Sequence, residues 1–107
     1  MQADDDANLI NITIFTPKPE HFSAFLDTHL EGLPRLGQLS QSLAAQFYVA
    51  RDGRRAILIS HFRDKAHLTE FQQSEALHAH RERLRPMLED AESGLYNLVY
   101  VREPQPA

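Results

Sequence analysis

The chain has 107 residues, 42% hydrophobic and 24% charged, the size and balance of one globular domain, with no apolar run near the ~18 residues a membrane span needs. It contains no cysteine, which removes disulfides, iron–sulfur clusters, thiolate zinc sites and thiol nucleophiles together. Asp4, Asp5 and Asp6 supply three units of the net charge of -4, leaving a domain at about -1, without the basic face of a nucleic-acid binder. The acidic start MQADDDAN is unlike the basic opening of a secretory leader, so a cytoplasmic protein is expected.

Residues 1–7 and 103–107 are polar or proline-rich and are expected to form flexible tails around a single domain spanning 8–102. NLINITIF alternates strictly and predicts a strand, with Ile10, Ile12 and Ile14 on one face and Leu9, Asn11, Thr13 and Phe15 on the other. TPKPEH interrupts it, and Pro19 suits the first turn of a helix. Phe22, Phe25, Leu26, His29, Leu30 and Leu33 then recur at helical spacing, with an end expected at Gly32-Leu33-Pro34. SLAAQFYVA and RRAILISHF, joined through Asp52-Gly53, predict a β-hairpin. A short helix is expected over Lys65–Phe71. A longer one follows from Glu75 to about Glu89, capped by Ser74 and shortened by Pro86. GLYNLVYV reads as a closing alternating strand.

The order β-α-β-β-α-α-β predicts an α+β, ferredoxin-like split βαβ fold: a four-stranded antiparallel sheet with helices on one face. The strands carry large apolar residues on both faces, so the side away from the helices would leave an exposed apolar patch. Packing two such sheets across a two-fold axis removes it, and a homodimer is expected. Packing at that interface is the expected use of Tyr48, Tyr96 and Tyr100.

His61–His80 holds four of the six histidines and ends in HAH. On a helix this spacing turns the two rings to opposite sides, so His78 and His80 cannot chelate one metal. His78 falls with Glu82 and Arg85 on the solvent side. His80 falls between Leu77 and Leu84 on the buried stripe, where it is either a satisfied core histidine or a pocket residue. His21 and His29 read as ordinary helix-face residues. Asn11 is either a strand polar group satisfied by a loop or a pocket group, and Phe62 and Phe71 are either core or pocket wall.

Taken in order, NITIFTPKPEHFSAFL, QFYVARDGRRAILISHF, DKAHLTEFQQSEALHAH and RERLRPML resemble the antibiotic biosynthesis monooxygenase family over residues 8–101. The resemblance implies a dimeric α/β barrel, with a pocket between each sheet and its helices. It also implies oxidation of an aromatic or quinol-like small molecule by O₂, without metal or cofactor, the substrate supplying the electrons. Asn11 matches a polar position on the family's first strand and His80 lies near a functional helix histidine; these two are the implied catalytic residues. Thr13, Phe15, Phe62, Phe71, Leu77 and Leu84 would contact substrate. The alternative is a non-catalytic small-molecule or haem-binding dimer. Phe62 and Phe71 stand where relatives often have Trp, and His80 is one residue short of the haem-ligand spacing, a rotation of about 100° on a helix. Both departures count against haem degradation.

Overall fold

A computed structural model describes residues 9–39 and 42–104. The expected leader 1–7 and the last part of the expected tail, 105–107, lie outside the described residues. The elements are β1 (Leu9–Pro17), α1 (Phe22–Leu39), β2 (Ser42–Val49), β3 (Ala56–Phe62), α2 (Lys65–Gln72), α3 (Glu75–Leu84) and β4 (Leu88–Tyr96), with single 3₁₀ turns at Pro19–His21 and Arg85–Met87. The sheet order is β2-β3-β1-β4, every neighbouring pair antiparallel. This is the expected ferredoxin-like arrangement.

Local chemistry sets most of the boundaries. The hairpin turns at Gly53, whose φ of 71° suits a residue without a Cβ. Ala50 N–H donates to Arg55 C=O and Gly53 N–H to Ala50 C=O, both at 2.9 Å. Asp64 caps α2 by accepting from His67 N–H at 2.9 Å. Ser74 does two jobs: its hydroxyl donates to Phe71 C=O at 2.8 Å and accepts from Leu77 N–H at 3.2 Å. One side chain thereby fixes Phe71 against the start of α3.

Three expectations need correction. First, α1 does not stop at Gly32-Leu33-Pro34 but runs to Leu39 with Pro34 inside it. The carbonyl that Pro34 deprives of a donor belongs to Leu30, which is 51% exposed, so solvent can serve it. Continuing the helix also buries Leu36. Second, α3 ends at Leu84 rather than near Glu89, because Pro86 cannot donate into the helix.

Third, the last strand is LEDAESGLY, not GLYNLVYV. Its register runs from Pro17↔Leu88 to Ile10↔Tyr96, so β1 has only Leu9 left beyond Tyr96. Residues 97–104 have no regular structure, and Leu98, Val99, Tyr100 and Val101 are 61–91% exposed. Strand propensity is realised only where a partner edge is in reach, and these residues pair with none of the described strands. β4 itself is a charged edge strand, with Glu89, Asp90 and Glu92 exposed.

The helices cover the odd-numbered face of β1. Two apolar clusters hold them there: Phe15, Phe25, Ala56 and Leu84 at one end, and Leu9, Phe62 and Leu68 at the other. α1 buries Phe25, His29, Gly32 and Leu36 along one stripe. Gly32 is needed for close approach: a Cβ there would lie 2.5 Å from the His80 ring and 3.2 Å from the Arg83 guanidinium. Gly37, on the same helix, has nothing within 4 Å of its Cβ position.

Two alanine substitutions should therefore differ in sign. Gly37→Ala should stabilise by about 0.5–1 kcal/mol, the ordinary helix gain. Gly32→Ala should destabilise by roughly 1–3 kcal/mol through overpacking. Urea unfolding of both variants measures this, and equal effects would remove the α1–α3 close approach from the account.

Candidate functional site

Between the two apolar clusters the sheet's helix-facing surface turns polar. Along β1 it reads Leu9, Asn11, Thr13, Phe15, and along β3 it reads Phe62, Ser60, Leu58, Ala56. Register sets Asn11 opposite Ser60, and Thr13 opposite Leu58 and Ser93. The hydroxyls of Thr13 and Ser93 share a hydrogen bond of 2.8 Å. No hydrogen-bond partner for the Asn11 amide occurs among the described residues. Small and polar groups in the middle of the sheet leave the space above them unfilled. The result is a cavity of about 550 Å³ roofed by α1 and α3, a volume suited to a small organic ligand.

Asn11, Thr13, Phe15, Phe71, Leu77, His80 and Leu84 all line this cavity. Phe62 does not. It is fully buried in the cluster with Leu9 and Leu68, and its ring lies behind that of Phe71, 5.5 Å between centroids. It supports the wall instead of forming it. His78 is exposed, and His67 is taken up by Asp64, its Nδ1 2.6 Å from the carboxylate.

The residue that sequence reasoning passed over is His29. It is 1% exposed, lines the cavity, and sits among Phe15, Phe25 and Phe47 at centroid distances of 5.0, 5.5 and 4.6 Å. Its ring is stacked on Phe25, with 9° between planes. A usable signal was present: His29 follows Phe25 by four residues, the same stripe logic that placed His80. Arg81 and Arg85 also reach the cavity rim, Arg85 paired with Glu82 at 2.7 Å.

His29 and His80 meet across the α1–α3 contact. Their Nδ1 and Nε2 atoms are 2.9 Å apart, and the other nitrogen of His80, Nδ1, is 3.2 Å from the Arg83 guanidinium. Arginine can only donate, so His80 Nδ1 is the acceptor and its proton lies on Nε2. That Nε2–H must donate to His29 Nδ1, which leaves the His29 proton on Nε2. Both rings are neutral in this arrangement. Burial, reinforced by the nearby His80, lowers the His29 pKa from 6.5 to about 4. Burial and then the Arg83 charge lower that of His80 as well. The His29 Nε2 is buried and has no hydrogen-bond partner.

A histidine whose folded pKa is depressed takes up more protons when unfolded, so it costs stability as pH falls through the window from 6.5 to about 4. His29 alone should remove about 2 kcal/mol between pH 7.5 and pH 5. Urea unfolding at these two pH values should show that loss in the wild type and much less of it in His29→Leu. A pH-independent wild type would contradict the buried neutral imidazole.

No protein-family model matches the sequence, and no curated protein matches it. Solved structures do match. A crystal structure of an antibiotic biosynthesis monooxygenase is 20% identical, with 86% of this chain and 99% of that one covered and a TM-score of 0.76. The Mycobacterium tuberculosis protein Rv0793 is 16% identical over 91% of this chain and 100% of its own, with a TM-score of 0.78. A mutant of SnoaB, a cofactor-independent oxygenase from Streptomyces nogalater, is 15% identical over 94% and 98%, with a TM-score of 0.74. The chain has the fold of the antibiotic biosynthesis monooxygenases.

Proposed function

We propose that the protein is a cofactor-independent monooxygenase that oxidises an electron-rich aromatic or quinol-like small molecule with O₂ in the cavity above β1. The observation that carries this reading is the cavity itself: a largely apolar chamber whose floor presents the Asn11 amide, unpaired among the described residues, and whose roof holds two buried neutral imidazoles. Its fold is shared with a protein described as a cofactor-independent oxygenase, which supports the reaction class by analogy. For an anthrone-like substrate the balance is one methylene plus O₂ giving one ketone plus water, the substrate supplying all the electrons. The protein's share is binding, orientation and exclusion of bulk water. Asn11 holds the reacting oxygen, Phe15 and Phe71 wall the ring, Thr13, Leu77 and Leu84 fill the remaining contact, and His80 acts through His29.

Haem ligation by His80 fits this site poorly. A ligand to iron needs a free ring nitrogen, and both nitrogens of His80 have protein partners. The binding-only alternative draws support from the same fact, since neither nitrogen of His80 is open to take a proton from substrate. Oxygen uptake with a panel of anthrones and quinols separates the readings. The monooxygenase predicts substrate-dependent O₂ consumption, reduced roughly 10- to 100-fold in Asn11→Ala, the worth of one hydrogen bond to a charged group. Turnover that is absent, or identical in the variant, leaves a binding protein.

A homodimer goes with this reading. The face of the sheet away from the helices carries the half-buried Ile12, Ile14, Ile57 and Ile59, flanked by Tyr48 and Tyr96, which are 54% and 48% exposed. Beyond Tyr96 the chain runs on into the exposed Leu98–Val101 segment, and a second copy offers the same apolar face in return. Light scattering after size exclusion should give twice the chain mass, and Ile12→Arg should give the monomer. A wild-type monomer at micromolar concentration would sink the dimer.

A further inference from the structure

We infer that Ser60 is a second recognition residue beside Asn11, and that the pair selects aromatic ligands carrying two oxygens on neighbouring ring carbons. The inference rests on the reading of the cavity as an aromatic-binding chamber, but not on oxidation taking place there. Ser60 stands opposite Asn11 in the β1–β3 ladder, with Ala45 opposite it on the β2 side. All three line the cavity. Side chains paired directly across an antiparallel ladder have Cβ atoms about 4.5–5.5 Å apart. Ala45 is too small to cover its neighbour, so the space above the two polar groups stays open.

Neither the Ser60 hydroxyl nor the Asn11 amide has a hydrogen-bond partner among the described residues. Both remain reachable, since among those residues the side-chain polar atom that is sealed off and also unpartnered is His29 Nε2. Ser60 is 7% exposed, and the opening left to it is the cavity that it lines. Polar groups at this depth call for partners. A hydroxyl and a carboxamide each hold a donor and an acceptor. One ligand hydroxyl meets one of them in both senses, and two oxygens on neighbouring carbons meet both at once. The nearby Thr13 and Ser93 hydroxyls are already bonded to each other at 2.8 Å. Leu58, Phe71 and Leu77 supply apolar wall for the ring.

The charged rim lies apart from this floor. Asp90 and Leu88 are in register with Thr16 and Pro17, roughly 17 Å or more along β1 from Asn11 at the usual strand rise, and Glu89 lies between them in the chain. Arg81, on α3, and Arg85, in the turn after it, are exposed. Recognition at the floor is therefore hydrogen bonding between neutral groups.

Naphthalene-2,3-diol and 2-naphthol are the probes, alike but for one hydroxyl and both fluorescent. Titrated without O₂, the wild type should bind the diol roughly 5- to 10-fold more tightly, the worth of one neutral hydrogen bond. Ser60→Ala should reduce that preference to near one, and so should Asn11→Ala, with no further loss in the double variant. Ser60→Thr, which keeps the hydroxyl, should retain it. Equal affinities in the wild type, or a preference that survives Ser60→Ala, would overturn the inference. Saturable binding of neither probe overturns it together with the aromatic chamber. A Ser60-dependent diol preference in a protein with no oxygen uptake upholds it and retires the monooxygenase alone.

Discussion

Neutrality of two imidazoles in a buried contact is the constraint on which the centre of this molecule depends. His29 and His80 are 1% and 3% exposed, and a charged ring at that depth would have to be compensated. The structure avoids the charge by giving each His80 nitrogen a defined role, acceptor from Arg83 and donor to His29. That arrangement requires α1 and α3 to touch, which Gly32 permits. It also requires an apolar setting for the inner ring, which Phe15, Phe25 and Phe47 supply.

The cavity has a complementary origin. A sheet covered by helices ordinarily presents one continuous apolar face. Here the apolar residues gather at the two ends, Phe15 with Ala56 and Leu9 with Phe62, while Asn11, Thr13, Ser60 and Ser93 occupy the centre beside Leu58. The helices are therefore held at both ends and cannot collapse onto the middle. The same clusters that stabilise the fold keep the chamber open, and Ser74 steadies its wall by fixing Phe71 to the start of α3.

What could be read from the sequence was what local chemistry determines. The alternation of Leu9–Phe15, the Asp52-Gly53 turn, the Ser74 cap and the stripe through Leu77, His80 and Leu84 each depend on neighbours in the chain. The errors fell where distant partners decide. LEDAESGLY is too polar to look like a strand, and it is one because β1 offers an edge of matching length. Gly32 and Pro34 look like a helix end, yet Gly32 is there to admit a ring from another helix. His29 reads as an ordinary helix-face residue because nothing in α1 alone reveals that His80 will arrive opposite it. Phe62 and Phe71 were indistinguishable by pattern, and only packing shows which of them stands behind the other.

The central claim is that Arg83 orders the protons of a neutral His80–His29 pair. Long-range proton–nitrogen correlation of the imidazoles at neutral pH tests it directly, because the two nitrogens of each ring report their own protonation. The account predicts that both rings are neutral with the proton on Nε2. A proton on Nδ1 of His80, or a positive charge on either ring, would contradict it.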